Sequence, residues 1–84
     1  MLADVEIIEV IVAQVKKLVP PGTEVTAQSS IMGDLGLDSL TVMNFVMWLE
    51  DTFDVSVPMS KLVEVETVAD LAQVLQSLGA KRNP

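Results

Sequence analysis

Apolar residues recur at steps of three and four through the first part of the chain, at Val5, Ile8, Ile11, Val12, Val15, Leu18 and Val19. That is the period of one helical face and predicts a first helix over 3–19. The run is rich in β-branched residues, which weakens helix propensity, but it lacks the strict alternation of a strand. Asp4, Glu6 and Glu9 lie early and Lys16 and Lys17 late, which suits the helix dipole. Pro20-Pro21-Gly22 stops the helix. The pattern returns over 39–53, with Leu40, Met43, Val46, Met47, Leu49 and Phe53 as core candidates and Val42 and Phe45 widening the arc. Asp38 is placed to cap this helix. A short turn follows at 59–63, with Met59, Leu62 and Val63 expected to face inward. The last helix is predicted over 67–78. Thr67 and Asp70 form its capping box, Val68, Leu71, Ala72, Val74, Leu75 and Leu78 its buried stripe, and Gly79 its stop. The tail 80–84 is expected to fray. The sum is an all-α bundle of three long helices and one short one in a single domain over 1–84. Its first loop, 22–38, is long and pinned by Ile31, Met32, Leu35 and Leu37. A loop of that length in so small a bundle is more often functional than idle.

Composition narrows the chemistry. The chain has 84 residues, half of them hydrophobic, so it holds a thin core and is no disordered acidic tail. It has neither Cys nor His. Disulfides, thiolate catalysis and the usual general base are excluded, and with them a Ser-His-Asp hydrolase within the chain. A net charge of −7 makes nucleic acid and anionic membrane surfaces poor partners and basic protein patches good ones. No segment approaches the roughly 18 apolar residues of a membrane span. The N-terminal stretch lacks a basic leader pattern, so the expected location is the cytoplasm. The hydrophobic stripes suffice for one bundle and predict a monomer.

Ser39 is the sharpest chemical candidate. The sequence Gly36-Leu37-Asp38-Ser39-Leu40 places it where a flexible loop ends and helical periodicity begins. A helix mouth favours an attached phosphate through its dipole and first-turn N–H groups. Without His or a nearby Lys, Ser39 is a poor nucleophile and reads as an acceptor for a group transferred by another enzyme. The plainer reading is that Ser39 only supports the helix start. Asp38 is a cap, a contact for basic partners, or both. Asp34 either joins that field or is a solvated loop carboxylate. Glu50 and Asp51 are the clearest acidic patch of the second helix. Adjacent residues point about 100° apart, so they make a weak catalytic pair.

Around Asp38-Ser39-Leu40 the chain resembles the acyl carrier protein family, including carrier domains of polyketide and peptide synthetases. Leu35-Gly36-Leu37-Asp38-Ser39-Leu40 is similar to its modification signature. Leu49-Glu50, Phe53 and Val57-Pro58 fall where that family has a helix end and the following loop, and Thr67-Val68-Ala69-Asp70-Leu71 resembles the start of its last helix. The resemblance covers about 3–78. It implies a non-enzymatic carrier on which Ser39 receives 4'-phosphopantetheine from coenzyme A, through a separate phosphopantetheinyl transferase that uses its own Mg2+. Cargo then rides as a thioester on the arm's thiol, which a cysteine-free chain cannot supply itself. The partners implied are an acyl-activating ligase, a ketosynthase or an acyltransferase with a basic docking surface, met by Asp34, Asp38, Leu40, Thr41, Asn44, Trp48, Glu50 and Asp51. Such contacts are expected to be electrostatic and salt-sensitive.

The chain departs from that pattern on the second helix. Thr41 and Asn44 stand where acidic residues are common, and Trp48 where a small residue is common. Trp48 either lies exposed as an interface anchor or packs on loop 22–37 or on 59–63. The departure points toward a specialised lipid or secondary-metabolite pathway. An aminoacyl, peptidyl or D-alanyl carrier and an unmodified acidic docking module are the alternatives. Met32, Met43, Met47 and Met59 are expected mainly to fill core gaps, while the resemblance implies that an acyl chain can slip between the helices, a role such residues would also suit.

Overall fold

The computed structural model describes residues 4–81, with the side chain of Asp4 excepted. The chain forms α1 (Asp4–Val15), α2 (Ser39–Phe53), α3 (Met59–Leu62) and α4 (Val68–Ser77). The expected start of the first helix at residue 3 and the fraying of 82–84 lie outside the described residues. α1 packs along α4, and α3 touches α4. The core is built from Ile7, Ile11 and Val15 of α1, Phe45, Leu49 and Phe53 of α2, and Val68, Leu71, Ala72 and Leu75 of α4.

The two capped helices start where their caps dictate. Thr67 accepts the Asp70 N–H at 3.1 Å while the Asp70 carboxylate accepts the Thr67 N–H, closing the capping box. Beyond α4, Gly79 at φ 79° takes the left-handed conformation that glycine adopts without strain. The Gly79 N–H reaches the Gln76 carbonyl and the Ala80 N–H the Leu75 carbonyl, the paired bonds of a Schellman stop. Residues 80 and 81 are therefore held, contrary to the expected fraying. Ala80 is fully buried, and the Lys81 N–H donates to the Phe53 carbonyl at 3.1 Å, tying the chain back to α2.

α1 ends earlier than its periodicity suggests, at Val15 rather than at 19. The Lys17 and Leu18 N–H groups bond three residues back instead of four, so the last turn tightens. Pro20 disfavours a helical Val19, and the break lets Val19 turn into the core. The phase also differs. Ile7, Ile11 and Val15 are the buried positions, while Val5 and Leu18 are exposed. In α2 the inward positions are Phe45, Val46, Leu49 and Phe53, and the expected core residues Leu40, Met43 and Met47 face outward. In the short third helix, Met59 and Val63 are likewise exposed and only Leu62 is half-buried.

The first loop is stitched to the entrance of α4. The Ile31 N–H reaches the Glu66 carbonyl at 2.9 Å, the Val68 N–H the Ser29 carbonyl, and the Ala69 N–H the Ala27 carbonyl. Ser30 and Thr67 form an isolated antiparallel bridge. Ile31, Leu35 and Leu37 are buried as anchors, whereas Met32 is exposed. This stitching fixes the segment that delivers the chain to α2.

Candidate functional site

Gly36, at φ 65°, turns the loop sharply just before Leu37, which is buried. With Leu37 pinned, Asp38 and Ser39 emerge on the surface. Asp38 is extended, and its Oδ1 accepts the Thr41 N–H at 2.7 Å. That N–H, and then the Thr41 hydroxyl, stabilise the charged form and hold the Asp38 carboxyl below the ordinary aspartate range. Ser39 is the first residue of α2, exposed at the positive end of a helix of 15 residues.

Asp34, in the same loop, has a local task. Its Oδ2 accepts the Ser30 N–H at 2.9 Å, and the Ser30 hydroxyl accepts the Gly33 N–H at 3.0 Å. The pair caps the turn over 31–34 reciprocally. Glu50 is half-buried, and its Oε2 accepts the Val57 N–H at 2.8 Å, pinning the link between α2 and α3. Asp51 is exposed on the neighbouring face.

Ser39 borders a cavity of about 440 Å3 between α2, α3 and the first loop. Val42, Met43 and Val46 line it from α2, Met59 and Leu62 from α3, and Ile31 and Met32 from the loop. The sequence flagged the methionines but assigned them to core filling. Met32, Met43, Met47 and Met59 are in fact all exposed, and three of them rim this cavity.

Thr41, Asn44 and Trp48 lie on the other side of α2. They line a separate cleft with Gln14 and Leu18 at the end of α1 and with Phe45, while Asp51 and Thr52 are not among its walls. Trp48 is 36% exposed and stacked on Phe45, with ring centroids 6.2 Å apart and planes at 14°. It therefore lies stacked on Phe45 and borders a cleft shared with the end of α1. Phe45 forms a wall of both spaces. From Ser39 to Leu49 the helix carries no charge, and Leu40, Met43 and Met47 make its exposed strip apolar. Among the described residues no cluster of His, Cys, Asp or Glu could hold a metal ion, and no helix is long and apolar enough to cross a membrane.

The structure thus brings together an exposed serine at a helix mouth, a pinned loop before it and an apolar cavity beside it. The family described as "Phosphopantetheine attachment site" matches residues 6–75. A protein named "Probable acyl carrier protein" from Caulobacter vibrioides is 44% identical over 77 residues, covering 92% of this chain and 88% of its own length. An acyl carrier protein from an Exiguobacterium species is 37% identical, covering 84% of this chain and 90% of its own length. Another from Bdellovibrio bacteriovorus is 38% identical over 56 residues, covering 67% of this chain and 72% of its own. The chain belongs to the acyl carrier protein family of phosphopantetheine carriers, and it is a carrier rather than an enzyme.

Proposed function

We propose that Ser39 is the residue that takes the 4'-phosphopantetheine arm, and that the cargo is acyl. The carrying observation is that Ser39 is both exposed at the mouth of α2 and a wall of the apolar cavity. In the transfer, the Ser39 oxygen forms a bond to the phosphorus of coenzyme A that bears the pantetheine, adenosine 3',5'-bisphosphate leaves, and the serine proton passes to a base of the transferase. When bound, the group supplies a thiol on which acyl chains are held as thioesters. The chain's own contribution is position. The Leu37 anchor and the Asp38 cap fix the serine, and the helix dipole favours the phosphodiester's charge.

Acyl cargo is favoured over aminoacyl cargo by the cavity's chemistry. Val42, Met43, Val46, Met59 and Leu62 offer an alkyl chain roughly 25 cal/mol for each Å2 removed from water. The wall is apolar but for Ser30, Ser39 and Glu66, so along most of it an ammonium would be desolvated without a partner. Methionine walls adapt to chains of different length. The uncharged first turns of α2 support a specialised lipid or secondary-metabolite pathway, with an acyltransferase, ketosynthase or ligase that meets Leu40, Met43 and Met47 through apolar contact and Asp38 and Asp51 through basic residues. The same reading takes the described bundle as one carrier unit, since the segment after α4 is bonded back to α2.

The test is intact mass after incubation with coenzyme A, Mg2+ and a broad-specificity phosphopantetheinyl transferase, with Ser39→Ala alongside. One phosphopantetheine increment on the native chain and none on the variant is the expected result. No increment on folded protein with several transferases would overturn the assignment and leave an unmodified acidic docking module.

A further inference from the structure

The chain has no cysteine, so all of its sulfur lies in five methionines. Three of them, Met32, Met43 and Met59, come from the first loop, α2 and α3 and line the same cavity beside Ser39. They are open to solvent: Met32 is 58% exposed, Met59 57% and Met43 38%. Met47, at 59%, is as exposed but is not among the cavity's walls. Oxidants select sulfurs that they can reach, and these three stand at three sides of one apolar space. The other lining side chains are hydrocarbon but for Ser30, Ser39 and Glu66. The Ser30 hydroxyl already accepts the Gly33 N–H at 3.0 Å, and an ionised Glu66 has no proton to donate. A strong acceptor placed on this wall finds few donors besides water.

We propose that Met32, Met43 and Met59 are sulfoxidation sites through which hydrogen peroxide closes the cavity to alkyl chains. The thioether sulfur attacks the peroxide. The O–O bond breaks, one oxygen forms the S–O bond with the sulfur's electron pair, and the other leaves as water. Sulfur is oxidised by two electrons and the peroxide is reduced by two. The product is polar where the thioether was apolar. An alkyl chain entering the cavity then strips water from sulfoxide oxygens that the walls do not satisfy, and that cost opposes its burial. A methionine sulfoxide reductase reverses the step: two thiols become a disulfide, and their protons leave with the oxygen as water. The cavity is the one that the acyl reading uses, but peroxide reaches these sulfurs whether or not Ser39 carries an arm.

The experiment takes the full chain without the arm and the neutral apolar dye N-phenyl-1-naphthylamine, whose emission rises in apolar surroundings. Saturable binding is expected before oxidation. Mild hydrogen peroxide is expected to weaken it on the order of tenfold as peptide mass mapping shows Met32, Met43 and Met59 each gaining one oxygen. Methionine sulfoxide reductases with a dithiol are expected to restore it. Dye present during oxidation is expected to slow oxygen uptake at those three residues and not at Met47. The Met32→Leu/Met43→Leu/Met59→Leu variant, close to native in side-chain volume, is expected to bind the dye and keep it after peroxide, although Met1 and Met47 still gain oxygen. No binding before oxidation, no loss after it, no recovery, an equal loss in the triple variant, or shielding that extends equally to Met47 would each overturn the proposal. Loss of the far-UV helical spectrum on oxidation would do the same, since the dye would then report unfolding. Coenzyme A enters none of these measurements, so failure of Ser39 to take the arm leaves their outcome standing.

Discussion

At the scale of single residues, the carboxylates that sequence offered together as a docking surface differ in their local surroundings. Asp34 and Glu50 accept backbone N–H groups, the exposed Asp34 capping a turn and the half-buried Glu50 pinning a link. Asp38 and Asp51 are exposed, and Asp38 is also a cap. Removing Glu50 leaves the Val57 N–H without its carboxylate in a half-buried place, a loss of about 1–2 kcal/mol. Glu50→Ala is therefore expected to lower Tm by several degrees, given roughly 4–8 °C per kcal/mol for a domain of this size. Glu24→Ala, at an exposed loop position, is expected to leave Tm nearly unchanged, since exposed substitutions away from caps and cores stay within about 0.5 kcal/mol. Thermal melts of the two variants side by side check this. Equal Tm shifts would show that Glu50 has no structural task, and a turnover defect of Glu50→Ala could then be read as lost docking.

At the scale of elements, legibility followed the caps. α2 and α4 begin where Asp38 and Thr67–Asp70 say they must, because a cap is a local feature whose partners lie within four residues. α1 has no such phase marker. Val and Ile occupy positions 5, 7, 8, 10, 11, 12 and 15, so several stripes satisfy a helical period, and only packing against α4 selects Ile7, Ile11 and Val15. The strip Leu40, Met43 and Met47 was misread as core for a related reason. Hydropathy counts these residues as buried, whereas all three are exposed and, of the three, only Met43 lines the cavity beside Ser39. Ser39 itself was legible because the loop end and helix start coincide there. The cleft beside Trp48 was not, since its walls come from the end of α1 and from α2, more than twenty positions apart in the chain. The caps also carry a pH dependence. Thr67 and Glu66 N–H groups lower the Asp70 carboxyl, and Thr41 lowers that of Asp38. Both groups therefore bind protons more weakly folded than unfolded. Their stabilisation is full above the ordinary aspartate value of about 3.9 and is lost as pH falls through the lower folded values. Urea midpoints between about pH 5 and pH 2 are expected to fall, and to fall less steeply in Asp38→Asn and Asp70→Asn. Identical slopes in the native chain and both variants would contradict the role of these caps.

At the scale of the molecule, the excess of 12 acidic over 5 basic residues acts as a field rather than as pairs. The bundle measures 31 × 24 × 19 Å. At about 0.01 M salt the screening length is about 30 Å, so every charge feels nearly every other, and folding concentrates like charges that the unfolded chain spreads apart. At about 0.15 M the length falls to about 8 Å, and only near neighbours remain coupled. Raising salt between these limits is thus expected to raise Tm, with no change in contacts. The same addition weakens attraction to basic partners, while leaving apolar contact on Leu40, Met43 and Met47 largely intact. Stability and docking should therefore respond to salt with opposite signs. A salt series of thermal melts, run beside a titration of the chain with a short oligolysine peptide, reads both. A Tm that falls with salt would mean that attractive pairs outweigh the net repulsion, and the carboxylates would then have to be treated as local bonds rather than as a common field.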